Sequence, residues 1–308
     1  CFGLPKAKIT AKVVDTNGKP VVGADAFATF VGKKTNIERG HTDADGMFTA
    51  SSQSIDSFGV TIRKKGYYSG GINYDEHNLT LAGSPLFQRW EPWGEEELIV
   101  LKEIRNPIQM YAKKTDRLDI PILDEPVGYD LEIGDWVVPF GNGISPDFLF
   151  VFTKSDEKAR LGMDNWKISF SLSFSNKLDG IQEYHPDEQN FRSEYYWPYE
   201  APETGYQKGI KGFASFGNSR FLQSFDETKN YIFRVRTKLD QDGKIIRANY
   251  GKIRGDFQIG LDYKSIGVVD FVYYFNPTNS RNLEYDFKNP LFRFPRHSKV
   301  KGAEVNAP

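Results

Sequence analysis

His185-Pro186-Asp187-Glu188 is the stretch whose residue types and spacing come nearest to catalytic chemistry, because a His-x-x-Glu pair plus a distant histidine, here His297, makes a facial ligand set. Such a set holds zinc with one position open for water, as metal-assisted hydrolysis requires. Against it, Pro186 fits the pair poorly into regular structure, and with four histidines among many glutamates the spacing arises readily by chance. Asp130, Glu132 and Asp135 beside Trp136 form a carboxylate cluster. It could supply the acid and base of a glycosidase only if two members face each other across a cleft; solvated surface charge is the simpler reading. Asp43 with Asp45, and Asp240 with Asp242, alternate as in a calcium loop but lack its third alternate ligand and closing glutamate. Asp-Gly sequences are what tight turns need. No residue is therefore assigned to catalysis, to a cofactor or to a metal.

The stretch 190–206, NFRSEYYWPYEAPETGY, concentrates rings among charges and prolines. Tyr195, Tyr196, Trp197, Tyr199 and Tyr206 are the candidate contact surface for a glycan or a partner protein, since such rings combine apolar area with hydrogen-bonding rims. The simpler and preferred alternative is that a long loop folds these rings onto a sheet to cover it. Formal net charge is −1 with both signs spread along the chain. That argues against nucleic acid as a partner, because phosphate binding needs a clustered basic surface.

Cys1 is the chain's one cysteine. Its place at the first position reads as the mark of processing, with lipid attachment at Cys1 after removal of a signal peptide. A disulfide to another chain, or an arbitrary boundary, are the alternatives. No segment approaches the roughly 18 consecutive apolar residues of a spanning helix, so the expected membrane contact is through that lipid alone.

The elements that must position these residues are strands. Aromatic residues make up 15% of the chain, with 24 Phe and 16 Tyr, alongside many β-branched residues. Apolar side chains alternate over 9–14, and turn residues follow in Asp15-Thr16-Asn17-Gly18-Lys19-Pro20; Asp43-Ala44-Asp45-Gly46 repeats the device. Further strands are expected at 97–104, 148–153, 166–174, 231–239, 244–250, 254–261 and 268–275, with a hairpin at Asp240-Gln241-Asp242-Gly243. The run 166–174, WKISFSLSF, places Trp166, Ile168, Phe170, Leu172 and Phe174 on one face. Pro107 marks a boundary, and 113–119 reads as a polar connector. The long segments 121–147 and 176–220 should hold short strands or a functional surface.

Asp15, Gly18, Pro20, Gly23 and Ala24, then Thr42, Asp43, Asp45, Gly46 and Phe48, and Gly66-Tyr67 form a set that resembles the carboxypeptidase regulatory-like domain. That resemblance implies a seven-stranded transthyretin-like sandwich of secreted and envelope proteins and assigns no activity, since such domains are accessories in enzymes, adhesins and transporters. Ile104-Arg105-Asn106-Pro107-Ile108, Gly128-Tyr129-Asp130-Leu131 with Gly134-Asp135-Trp136, and Phe275-Asn276-Pro277 with the run 281–286 resemble blocks of bacterial envelope lipoproteins carrying that domain. This second resemblance carries no catalytic residue across.

The chain is accordingly expected to be all-β. A regulatory-like sandwich spans 7–104, with 68–93 as its elaboration, a larger antiparallel sandwich or half-barrel spans 107–296, and 297–308 is a tail. The expected function is non-catalytic binding of a glycan or protein at the bacterial envelope or cell surface. The rival is a homopolymeric fibre or surface layer built by β-strand complementation, for which the short N-terminal lead and the tail are candidate donors.

Overall fold

The computed structural model describes residues 4–75, 77–84, 87–157, 165–186, 192–217, 220–262, 264–292 and 302–308. The fold is all-β: among these residues there is no α-helix, and the strands form open sheets rather than a closed barrel. The chain divides into two units, Cys1–Asn106 with Pro186–Trp197, and Pro107–His185 with Pro198–Pro308.

The first unit has nine strands: β1 (Lys6–Asp15), β2 (Asp25–Phe30), β3 (Asn36–His41), β4 (Met47–Gln53), β5 (Phe58–Arg63), β6 (Gly70–Tyr74), β7 (Thr80–Ser84), β8 (Phe87–Glu91) and β9 (Glu96–Leu101). One sheet runs β4-β1-β8-β7 with β9 parallel to β1, and the other runs β3-β2-β5-β6. The sequence period explains the layering. Ala7, Ile9, Ala11 and Val13 of β1 point inward and meet Ala26, Ala28 and Phe30 of β2 and Phe58, Val60 and Ile62 of β5. The stretch 68–93 supplies the edge strand β6 and the hairpin β7–β8.

The predicted turns take the form their residues dictate. Asp15 Oδ1 accepts the amides of Asn17 and Lys19, and Asp43 Oδ1 accepts those of Asp45 and Met47. Gly18 and Gly46 complete the two turns at φ +78° and +77°. Thr42 ties the second turn to the sheet, its buried hydroxyl donating to Val21 O and accepting from Ala24 N.

The second unit continues with β10 (Tyr111–Lys114), β11 (Leu118–Asp119), β12 (Pro126–Asp130), β13 (Asp135–Trp136), β14 (Phe148–Glu157), β15 (Asn165–Ser173), β16 (Gly180–Tyr184), β17 (Gly209–Gly217), β18 (Arg220–Gln223), β19 (Asn230–Leu239), β20 (Ile245–Leu261), β21 (Gly267–Asn276) and β22 (Ala303–Glu304). One sheet has the order β16-β19-β20-β21-β10-β22, with β11 also on β21. The other has the order β13-β12-β14-β15-β17-β18. A phenylalanine-rich core joins them: Phe148, Phe150 and Phe152 of β14 and Phe170 of β15 meet Phe233, Phe257 and Phe271. Most of these rings meet edge-on or tilted, as at Phe148–Phe233, 5.1 Å apart. Each buried ring contributes about 1.5–3 kcal/mol.

Two expectations are corrected here. The run 113–119 is no connector: Lys113 is buried in β10, and β11 follows. The segments 244–250 and 254–261 form one strand, β20, whose register breaks beside Gly255 at φ +78°, a bulge that bends a long strand without ending it. The tail is not free where it is described. Its β22 pairs with β10, and Val305 is buried against Met110, Ala112, Tyr274 and Tyr285.

Candidate binding face

The predicted aromatic surface is largely spent on packing. In the first unit Tyr195 and Trp197 are fully buried. Tyr195 stacks on Tyr68 at 4.8 Å between ring centres, and the Lys102 ammonium lies 5.0 Å from its centre. Glu194 N bonds Ser69 O, Ser193 bridges Gly70, and Arg192 pairs with Glu97 at 2.6 Å while donating to Leu98 O. The returning segment thus completes the first unit's sheet instead of belonging to the second, which is why its rings are buried. Tyr196 is half-buried and stacks on Trp197. Tyr199 and Tyr206 belong to the second unit, both half-buried; Tyr206 lies beneath Arg234 at 4.5 Å and donates to Pro202 O. The five residues therefore do not form one exposed platform.

In the carboxylate cluster Asp130 is buried, while Glu132 and Asp135 are half-buried. Asp130 Oδ1 accepts the amides of Glu132 and Ile133, and its Oδ2 those of Ile144 and Ser145. Asp135 takes the amides of Trp136 and Asn142. Arg236 then bridges Asp147, Glu132 and Asp130 at 2.7, 2.6 and 3.3 Å. It can do so because it sits at a bulge of β19 with φ +56°, which turns its guanidinium towards these acids. Burial raises the Asp147 carboxyl above its ordinary range, with Arg236 opposing. Asp130 and Asp147 are thus committed to backbone amides and one arginine, as structural staples are.

The aspartate turns repeat at Asp240, whose Oδ1 accepts the amides of Asp242 and Lys244. His185 is exposed and lies 3.2 Å from Glu183. Glu188 and His297 lie outside the described residues, as does Cys1.

What the structure adds is the outward side of the second unit's six-stranded sheet. Strand alternation that buries Ile168, Phe170 and Leu172 must turn Lys167, Ser169, Ser171 and Ser173 the other way. Register sets Ser169 opposite Phe213 and Thr153, and Ser171 opposite Lys211 and Val151. Short serines on the middle strand between taller neighbours leave a depression of about 430 Å³, lined by Val151, Thr153, Lys167, Ser169, Lys211 and Phe213 among others. The Lys167 ammonium is 5.3 Å from the Phe213 ring centre, and the hydroxyls of Thr153 and Ser169 are 2.7 Å apart. The signal is present in WKISFSLSF, whose polar alternate positions form this face. A smaller depression of about 320 Å³ in the first unit, lined by Thr29, Gly59, Thr61, Gly71 and Asn73 among others, has no charged side chain.

No family model matches the chain, and no curated protein does. Among solved structures, the crystal structure of 3-chlorocatechol 1,2-dioxygenase from Rhodococcus opacus is 13% identical with a TM-score of 0.25, over 33% of this chain and 62% of that one. The chain thus spans less than two thirds of the dioxygenase's length. The crystal structure of BcpA, the major pilin subunit of Bacillus cereus, is 12% identical with a TM-score of 0.24, over 91% of this chain and 100% of that one. TM-scores this low carry no argument about fold or function.

Proposed function

We propose that this chain is a non-catalytic binding protein of the bacterial envelope that makes its contact through the outer face of β14, β15 and β17. The observation that carries the reading is the open depression over Ser169 and Ser171, flanked by lysines and an aromatic ring on a rigid sheet. Sites built on regular elements over a packed core hold their side chains in place without ligand. The envelope setting is supported by the turn residues around Asp15 and Asp43 that carry the regulatory-like resemblance. Absence of catalysis is supported by the commitment of Asp130, Glu132 and Asp147 to internal pairing.

The test is a glycan array, with immobilised envelope proteins alongside, probed with wild type and Ser171→Trp. Wild type should be retained by a ligand, and a bulky ring on the groove floor should abolish retention while thermal stability is unchanged. Retention indifferent to the substitution, or mass spectrometry showing the ligand cleaved, refutes the reading.

A second reading, assembly by strand complementation, has its own observation. The short β22 completes an edge that is otherwise β10, with Tyr274 and Tyr285 donating to Ala307 O and Val305 O. The same slot could accept this segment from another copy. Size-exclusion chromatography with light scattering separates the two: polymers at micromolar concentration favour assembly, and a persistent monomer rejects it.

A further inference from the structure

The geometry points to an acidic saccharide, bearing carboxylate or sulfate groups, as the ligand of this sheet face; the inference rests on the binding role proposed above. Asn165–Ser173, Gly209–Gly217 and Arg220–Gln223 contain no aspartate or glutamate, and the acids of β14, Asp156 and Glu157, fall at its end opposite Trp166 and Asn165, although the whole chain carries 41 acidic against 40 basic residues. Their cations are Lys167, Lys211 and Arg220. Strand alternation places all three on the outer face, because Arg220 lies opposite Gly217, which shares that face with Lys211. Both lysines are exposed, and among the described residues neither is paired with a carboxylate. A locally positive surface within a nearly neutral chain selects anions.

The rest of the lining narrows the anion to a saccharide. The hydroxyls of Ser169, Ser171 and Thr153 line the same depression, groups that both donate and accept and so match the hydroxyl rim of a sugar. Phe213 adds the apolar face that a sugar ring packs against. Lys211 sits opposite Ser171, four residues along β15 from Lys167, which separates the two lysine backbones by roughly 13 Å along the strand. Two acidic groups of one short oligosaccharide can engage them separately, whereas a single acidic sugar reaches one. Three cations can neutralise few phosphates, so little of the electrostatic affinity that carries nucleic-acid binding is available on this face.

The experiment is isothermal titration of the full chain with oligogalacturonate hexamer, galacturonic acid, neutral cellohexaose and a single-stranded DNA hexamer. The hexauronate should bind, weaken at least tenfold in each of Lys167→Glu and Lys211→Glu, and weaken with added salt, at unchanged melting temperature. Monomer, cellohexaose and DNA should bind at least tenfold less tightly. Absence of hexauronate binding, binding indifferent to both charge reversals, or DNA binding as tight as the hexauronate overturns the inference. Cellohexaose binding that Ser171→Trp abolishes and the charge reversals spare would overturn the acidic ligand and leave the contact face standing. Binding indifferent to all three substitutions would overturn both.

Discussion

Arg236 meets Asp147 edge-on, Nε to Oδ1 at 2.7 Å and a terminal nitrogen to Oδ2 at 2.9 Å, joining β19 to the loop before β14 across 89 residues of chain. The aspartate side chain is 1% exposed, so its charge depends on this partner. Asp147 Oδ2 also receives Leu131 N, and Arg236 lies over the Phe275 ring at 5.0 Å. Arg236→Met should therefore destabilise the second unit by about 3–5 kcal/mol, the cost of stranding a buried charge. Arg236→Lys should recover only part of this, because an ammonium cannot make the paired contact. Urea unfolding of both variants at neutral pH is the measurement.

Lys113 sets a pH dependence. Burial lowers its ammonium to about 8, with Asp135 partly opposing, while its amine nitrogen donates to Gly134 O at 2.5 Å. In the unfolded chain the same group titrates near 10.5. Between these values the unfolded state binds the extra proton, so stability should rise as pH climbs from about 8 towards 10. Above pH 10 the buried hydroxyls of Tyr129 and Tyr273, raised by desolvation, act the other way, because the unfolded state then loses protons that the folded state keeps. Lys113→Met should flatten the rise between pH 8 and 10 in chemical denaturation. A rise unchanged in the variant would assign it to another group.

Tyr195 takes the covering role preferred for its loop rather than that of a contact residue. Fully buried on Tyr68, it should cost about 3–5 kcal/mol when replaced by alanine. Any loss of ligand binding should follow the unfolded fraction. Calorimetry of Tyr195→Ala beside the half-buried Tyr196→Ala tests this, with the larger drop in melting temperature expected for Tyr195.

Val305 plugs an apolar cluster beside β10. Val305→Asp should detach the strand at a cost of about 3 kcal/mol. A peptide of residues 302–308 added to that variant should bind and restore stability if the slot accepts strands in trans. Fluorescence anisotropy of the labelled peptide reads this out, and no binding would remove the assembly reading.

The strands and turns were legible because their causes are local. Alternation in 9–14 and 166–174 assigns each residue a face regardless of partner, and an aspartate three residues ahead of a glycine closes its own turn through side-chain and backbone bonds, as at Asp15, Asp43 and Asp240. Gly255 and Arg236 were illegible as bulges, since an extra residue in a strand is visible only against the register of its partner. Lys113 within a polar run gave no sign that it would be buried.

By itself the sequence determined an all-β chain with tight aspartate turns and two alternating faces on every half-buried strand. Only the tertiary structure decided which rings of 190–206 are spent on packing, that Asp130, Glu132 and Asp147 converge on one arginine, and that Lys167 and Lys211 share a sheet face across a row of serines. The physical reason is that side-chain direction follows from neighbouring backbone atoms, whereas burial, charge pairing and a groove need segments far apart in the chain to meet.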